Sequence, residues 1–154
     1  MTRRGLILFA AAGSLALLAG AFAFQYIGGL APCALCLWQR WPHAAAAVLG
    51  AMGLGIGGAL LPLAGAAAAL TSAGIGIFHT GVERGWWEGP STCSSGPVDG
   101  LSPQELMDQI LAAPLVQCDQ VAWELAGLSM ASWNAVVSFG LAALWIAAAL
   151  RPAR

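Results

Sequence analysis

The charged residues of this chain stand far apart, and the stretches between them are long and apolar. Thirty-five residues without a charge separate Arg4 from Arg40, and 42 separate Arg40 from Glu83. A further 26 uncharged residues lie between Glu124 and Arg151. Because an α-helix needs about 20 apolar residues to cross the hydrocarbon layer of a bilayer, each stretch is long enough for at least one crossing.

The lengths of these stretches predict four membrane-spanning helices. The first and last stretches each hold one span, whereas the second is long enough for two, so we expect a helical hairpin that turns at Leu61 and Pro62. The predicted spans cover residues 5–24, 42–60, 63–82 and 130–150. The expected fold is an all-α membrane protein with one domain, residues 1–154: a four-transmembrane-helix bundle with a short amphipathic helix in its second outward loop.

The composition makes lipid the main solvent of this chain. Apolar residues make up 59% and charged residues 8%, against roughly 45–50% and about 25% in soluble domains. Six arginines, seven acidic residues and no lysine could not cover the surface of a soluble protein of 154 residues. The net charge of -1 argues against nucleic acid as a partner, because nucleic acid requires a basic face.

The basic residues at the two ends predict the orientation of the spans. Arg3 and Arg4 precede the first span, and Arg151 and Arg154 follow the last. By the positive-inside rule both termini face the cytoplasm, which requires an even number of spans. The loops at about 25–41 and 83–129 then face outward.

A competing interpretation concerns the N-terminus. Residues 1–23 have a basic start, an apolar core and a small-residue exit at residues 21–23, as a cleavable signal peptide has. Cleavage would leave three spans and would remove the symmetry of charge between the two ends. We therefore expect the first span to be retained.

The second outward loop is predicted to contain a short helix. Ser102, Pro103 and Glu105 match a capping box with proline at the first helical position, and Pro114 ends the pattern. The apolar side chains behind this cap share one face. The helix therefore lies either on the membrane surface or against the rest of the loop.

Two cysteines flank this helix, Cys93 before it and Cys118 after it, with 24 residues between them. A disulfide could close that loop. Turn-forming residues between Pro90 and Pro97 surround Cys93, so we expect its sulfur to be open to attack by the thiol of another protein. Packing as small apolar residues is the alternative for cysteines within spans, but all four lie near span ends or in this loop.

A Cys-x-x-Cys sequence, Cys33 to Cys36, lies where the chain returns to the membrane on the same outward side. If a helix begins near Pro32, the two thiols are one turn apart on one face and Arg40 is one turn deeper. The helix N-terminus and the guanidinium both lower a thiol pKa, and the thiolate is the nucleophile in disulfide exchange. Arg40 at the membrane edge is either functional or extended towards the lipid headgroups.

Four cysteines could instead bind one zinc ion. Structural zinc sites usually take their ligands as two close pairs, whereas Cys93 and Cys118 are distant in sequence. The outward compartment also favours disulfides over metal thiolates. We expect no metal, and the sequence leaves all three possible disulfide pairings open.

The order of these features resembles the disulfide bond formation protein B (DsbB) family of bacterial inner-membrane quinone reductases. The likeness covers nearly the whole chain. It is sharpest at residues 33–40, Cys-Ala-Leu-Cys-Leu-Trp-Gln-Arg, and at residues 118–133, which run from the second loop cysteine to a tryptophan that opens the last span. The resemblance implies a multi-pass inner-membrane protein whose cysteine loops are periplasmic.

The resemblance also implies a relay of electrons through the four cysteines. A reduced, DsbA-like thioredoxin-fold oxidase attacks a Cys93–Cys118 disulfide and forms a mixed disulfide with Cys93. Cys118 then attacks Cys33, and Cys36 becomes a thiolate that faces a bound quinone, either ubiquinone or menaquinone. The expected activity is that of a thiol:quinone oxidoreductase that sustains disulfide formation in secreted proteins.

Two further positions match the family's quinone site. Arg40 corresponds to an arginine beside the quinone ring, and His79 falls near a family histidine close to the quinone. His79 could equally be an interfacial histidine without a special task, and His43 is assigned to helix packing.

Other functions remain open from the residues alone. The chain could be a specialised relative with a dedicated partner, or a membrane scaffold whose loop is stapled by disulfides. Epoxyquinone reductases also use a Cys-x-x-Cys sequence beside a quinone, but they place it late in the chain rather than at residues 33–36.

Overall fold

The structure is a computed structural model that describes residues 1–90, 93, 100–112 and 116–152. Three sequence predictions concern residues outside this part of the chain. They are Pro114 as the end of the short helix, the turn-forming residues on both sides of Cys93, and Arg154 as a C-terminal cation.

The described residues form five helices and one two-stranded hairpin. In chain order the elements are α1 (Arg3–Tyr26), α2 (Ala34–Gly55), α3 (Leu60–Glu83), α4 (Pro103–Ala112), β1 (Glu124–Leu125), β2 (Leu128–Ser129) and α5 (Met130–Ala149). The strands pair antiparallel, with Leu125 opposite Leu128. Ala126 and Gly127 both have positive φ, as a two-residue hairpin turn requires. The predicted all-α class is confirmed apart from this small hairpin.

Three of these helices, α1, α3 and α5, are long and apolar enough to cross a membrane. The fourth long helix, α2, has 22 residues but carries Gln39, Arg40 and His43 in its first half, and these lower its hydropathy. The predicted four-helix membrane bundle is therefore confirmed only in part, and the crossing by α2 stays a prediction.

The turn between α2 and α3 lies earlier in the chain than the sequence suggested. α2 begins at Ala34 and ends at Gly55, and α3 begins at Leu60, so the predicted turn at Leu61 and Pro62 is wrong. Pro62 belongs to the first turn of α3. The backbone N–H groups of a first turn have no intrahelical acceptor, so the N–H that proline lacks costs no hydrogen bond there. Gly58, with φ of 94°, provides the reversal instead.

The long helices pack through small residues. α1 and α3 each contact both α2 and α5. A fully buried Trp145 on α5 lies directly over Gly65 of α3, where an added Cβ would meet the indole at 2.6 Å. At Gly50 of α2 an added Cβ would lie 2.4 Å from the Cβ of Ala11. Because neither glycine has a side chain, the backbones can approach closely, as is usual for helices that meet in lipid.

The short helix α4 begins as predicted. The Glu105 backbone N–H donates to Ser102 Oγ at 3.4 Å, and the Ser102 backbone N–H donates to Glu105 Oε2 at 2.8 Å. The hydrogen bonds from Ser102 lower the pKa of the Glu105 carboxyl. Ile110 and Leu111 are 61% and 77% exposed, so the apolar face does not pack on the described part of the loop. A position on the membrane surface stays a prediction.

Candidate active site

The Cys-x-x-Cys pair lies at the start of α2, in the arrangement that its spacing predicts. Cys33 is the N-cap, and its sulfur accepts a hydrogen bond from the Cys36 backbone N–H at 3.3 Å. Both cysteines are free thiols, and their sulfur atoms are 3.0 Å apart. A sulfur at an N-cap receives the unpaired amides of the first turn, which stabilise a thiolate.

Cys33 is the more acidic of the two positions by its surroundings. The hydrogen bond from the Cys36 thiol lowers the pKa of Cys33 to about 4, and a hydrogen bond from His79 acts in the same direction, against the effect of burial. An unperturbed cysteine has a pKa of about 8.5. Cys33 is therefore a thiolate across the physiological pH range.

Cys93 and Cys118 form a disulfide, which agrees with the pairing that the family resemblance implies. Both are fully buried, in a cluster with Leu35 and Val82. The expectation that the Cys93 sulfur is exposed is therefore wrong for this state. The reason is that the loop folds the disulfide onto the ends of α2 and α3, where Cys118 N–H also donates to the Cys93 carbonyl at 2.6 Å.

The two cysteine pairs meet in the interior. The sulfur atoms of Cys33 and Cys118 and a ring nitrogen of His79 all lie within 4.8 Å of one another, and all three residues are buried. Such a trio could hold a metal ion, but Cys118 is bound to Cys93 and so offers no thiolate in this state. The arrangement suits an exchange of bonds between the two pairs.

His79 lies on the inner face of α3, between the thiols and a carboxylate. Its Nε2 is 3.6 Å from the Cys33 sulfur and 3.8 Å from Glu83 Oε1. Its Nδ1 is 3.0 Å from Gln39 Nε2. The sequence prediction named His79 but missed the other two residues, although a polar residue in an apolar span is itself a signal of function.

Arg40 is turned towards α1 rather than towards solvent. Its guanidinium donates to Gln25 Oε1 at 2.7 Å and to the Ala21 carbonyl at 3.4 Å, and it lies over the Phe22 ring at 4.9 Å. Its Nε is buried and has no hydrogen-bond partner among the described residues. One donor of the guanidinium is thus left for another group.

A cavity of about 600 Å³ opens beside these groups. Polar side chains on its wall include Cys36, Arg40 and His43 of α2, His79 of α3 and Asn134 of α5, while most of the remaining wall is apolar. A mostly apolar pocket of this size with a few convergent polar groups is typical of a site for a small organic molecule.

Two further polar residues of the site, beyond Gln39 and Glu83, were not found from the sequence. Asn134 of α5 and Ser72 of α3 hydrogen-bond to each other and to His43. His43, which the sequence assigns to helix packing, does bond to α3 and α5, and it also lies on the cavity wall. Asn134, Ser72 and His43 are each a polar residue in an otherwise apolar helix, and that position alone could have indicated a functional role.

The fold and the site together define a class: a membrane protein with a reactive dithiol held beside a second cysteine pair. The family model described as "Disulfide bond formation protein DsbB" matches residues 3–148. The chain therefore belongs to the DsbB family. Membership supports a role in disulfide formation as a disulfide oxidoreductase.

Individual relatives agree with this assignment. The chain is 30% identical over 148 residues to disulfide bond formation protein B of Albidiferax ferrireducens, covering 92% of this chain and 83% of the relative. It is 34% identical over 137 residues to the protein of the same name from Methylococcus capsulatus, covering 83% and 82%. Disulfide bond formation protein B 2 of Pseudomonas aeruginosa is 31% identical over 141 residues, covering 80% and 77%. No solved structure matches the chain.

Proposed function

We propose that this protein oxidises a periplasmic, DsbA-like thioredoxin-fold dithiol protein and passes the electrons to a membrane quinone. The observation that carries the proposal is the buried contact region in which Cys33, Cys118 and His79 lie within 4.8 Å of one another. A scaffold stapled by inert disulfides has no need for a free dithiol beside its disulfide.

The steps of the proposed relay balance in electrons and protons. The partner dithiol reduces the Cys93–Cys118 disulfide by way of a mixed disulfide at Cys93, and the partner leaves oxidised. The Cys118 thiolate then attacks Cys33 of a Cys33–Cys36 disulfide, which forms a Cys33–Cys118 disulfide and releases the Cys36 thiolate. Cys93 next attacks Cys118, which restores the Cys93–Cys118 bond and releases Cys33 as the second reduced cysteine. The structure has this last distribution, with one disulfide and two free thiols.

The residues around the cavity fit a quinone as the final oxidant. When bound, a quinone accepts two electrons and two protons and becomes a quinol. Cys36 lies on the cavity wall, and the unpartnered Nε of Arg40 is available to an anionic or carbonyl oxygen. The Nε2 ring nitrogen of His79 lies 3.6 Å from the Cys33 sulfur. These groups supply the thiols, the cation and a proton donor, and they do not distinguish ubiquinone from menaquinone.

The proposed setting is the bacterial inner membrane, crossed four times with both termini in the cytoplasm. The end charges at Arg3, Arg4 and Arg151 support this orientation, since α2 then completes an even number of spans. All four cysteines fall on the periplasmic side, where disulfides persist.

The burial of Cys93 has a consequence for the partner. A thiolate must reach a sulfur along the S–S axis, so the buried surroundings of Cys93 have to open when the partner docks. We propose that docking of a thioredoxin-fold protein causes that opening, which would restrict attack to the correct partner.

The test is turnover of the purified protein with a reduced thioredoxin-fold oxidase and either ubiquinone or menaquinone. Quinol formation and reoxidation of the partner should occur together in equal amounts. Cys36→Ala should abolish both, because no disulfide can re-form at the cavity. Unchanged turnover in that variant would contradict the proposal, and Arg84→Gln, a change outside the cavity, serves as the control.

A further inference from the structure

Polar side chains from three helices, all buried except the half-buried Asn134, form a continuous hydrogen-bond chain that ends at Cys33. In order, the chain runs from His43 to Asn134, Gln39, His79 and Cys33. The donor–acceptor distances are 2.9, 2.7, 3.0 and 3.6 Å in the same order. A chain of this kind through an apolar interior is costly unless each member has a partner.

The side-chain amide of Gln39 has only one possible orientation. Its Nε2 is 3.1 Å from the Leu35 carbonyl, which can only accept a hydrogen bond, so this end of the amide must be the NH₂ group. The second N–H of that group then points at His79 Nδ1, at 3.0 Å. The Gln39 amide therefore donates to the histidine ring.

Asn134 fixes the other end of the same amide. Its Nδ2 donates to Gln39 Oε1 at 2.7 Å and to the Ser72 carbonyl at 3.4 Å, and its Oδ1 accepts from His43 Nε2 at 2.9 Å. Reversing Gln39 would place two NH₂ groups against each other, as well as two oxygens at Leu35. The carbonyls of Leu35 and Ser72 thus set the direction of donation along the whole hydrogen-bond chain.

The direction of donation along the hydrogen-bond chain selects one tautomer of His79. Because Nδ1 accepts from Gln39, the proton of the neutral ring is on Nε2, which faces the Cys33 sulfur. In this state the ring cannot remove a proton from Cys33. It can only donate to the sulfur, and that favours the thiolate.

We propose that Gln39 and Asn134 are positioning residues that hold His79 as the Nε2–H tautomer, so that the ring donates to the Cys33 thiolate. The inference rests on the proposed function, to which it adds what stabilises the Cys33 thiolate once Cys33 and Cys36 are reduced. Other titratable groups near Cys33 are Cys36, which donates to the same sulfur, and Glu83, which faces His79 from one helical turn away.

The tautomer can be measured directly by ¹⁵N NMR of the protein with labelled histidine in detergent micelles. The chain has two histidines, so a His43→Gln variant assigns both ring systems. We expect His79 to show a protonated Nε2 and an unprotonated, hydrogen-bonded Nδ1. In Gln39→Glu the carboxylate has no N–H to donate, so His79 should gain a proton on Nδ1.

A second measurement links the tautomer to the sulfur. In Gln39→Met and Asn134→Leu, the pH of half-maximal alkylation of Cys33 should rise by about one unit, as the loss of a hydrogen bond to a charged group predicts. Thr80→Val is the matched control. Thr80 is next to His79 in sequence, but its hydroxyl bonds to Ser132 and Gly76, which do not belong to the hydrogen-bond chain. It should leave both readouts unchanged.

A proton on Nδ1 of His79 in the unsubstituted protein at neutral pH would overturn the inference, as would unchanged ring ¹⁵N shifts in Gln39→Glu. Equal alkylation profiles in Gln39→Met and Thr80→Val would overturn it as well. Neither experiment contains quinone or partner. Failure of quinone-dependent turnover with the expected tautomer would therefore count against the proposed function alone.

Discussion

At the scale of single residues, the Cys33 sulfur receives contacts from several groups. It accepts from the backbone N–H and the thiol of Cys36, and His79 Nε2 lies 3.6 Å away. The disulfide sulfur of Cys118 is within 4.8 Å. The Cys33 thiolate, the donors that stabilise it and the sulfur with which it exchanges are thus in one place.

The lowered pKa of Cys33 predicts a distinct pH dependence of its alkylation. With a pKa of about 4 the sulfur is a thiolate above that pH, so the rate with iodoacetamide should be flat from about pH 6 to 8 and fall as the pH drops through 4. Cys36→Ala removes the largest stabilising contact and should move this fall to higher pH. Mass spectrometry of the alkylated peptide gives the rate, and a midpoint near 8.5 would contradict the assignment.

Arg40 is expected to act on quinone binding. Arg40→Gln keeps a hydrogen-bonding side chain but removes the charge beside the cavity, and the apparent KM for quinone should rise by about tenfold or more with a smaller change in kcat. Steady-state quinol formation measures both constants. Equal kinetics in Arg40→Gln and in the control Arg84→Gln would show that the guanidinium serves only the contact with Gln25.

Several residues of the site could be predicted and others could not, for physical reasons. The spacing of Cys33 and Cys36 is local, so it specified one face of one helix turn. The burial of Cys93 depends on how a distant loop folds onto α2 and α3, which no local pattern contains. Asn134 also acts through contacts to other helices, so its role appears only after packing.

At the scale of elements, local signals were reliable where they concern helix starts. The capping box at Ser102 and Glu105 was read correctly because both partners are three residues apart. The predicted turn between α2 and α3 is misplaced because Pro62 lies inside a helix and does not end one. Proline in the first helical turn loses no hydrogen bond, and Gly58 was the better signal for the reversal.

Contact between α3 and α5 depends on the absence of a side chain at Gly65. Gly65→Ala places a methyl group against the Trp145 indole and should destabilise the protein by about 1–3 kcal/mol, as overpacking of cores does. Gly74→Ala on the same helix meets nothing within 4 Å and is the matched control. Unfolding in mixed micelles measures both, and equal stability of the two variants would contradict the packing described here.

At the scale of the whole molecule, the packing of the long helices creates the cavity. Cys36 and Arg40 on α2, His79 on α3 and Asn134 on α5 all face it, and α1 contributes the apolar side, including Phe24. The charge-free stretches predicted the three most apolar helices. This is possible because the hydropathy of a span depends only on a continuous stretch of sequence and not on tertiary contacts. A membrane crossing by α2 stays a prediction, because the polar residues of its first half lower its hydropathy.

The sides of the membrane on which the two termini lie depend on whether α2 crosses the membrane. With four crossings, alkaline phosphatase fused after α5 should be inactive, because that enzyme folds only in the oxidising periplasm, and a fusion at Gly100 should be active. With three crossings the two termini would lie on opposite sides. Cytoplasmic fluorescence of a protein fused after α5 provides the complementary control, and an active phosphatase there would contradict the proposed orientation.

The central claim is that electrons move from the Cys93–Cys118 pair to the Cys33–Cys36 pair. The most direct measurement mixes fully oxidised, quinone-free protein with one equivalent of the reduced partner dithiol, quenches in acid and identifies the alkylated cysteines by mass spectrometry. Alkylation is expected at Cys33 and Cys36 with the Cys93–Cys118 disulfide intact, as in the structure. Alkylation that stays at Cys93 and Cys118, with Cys33 and Cys36 still joined, would contradict it.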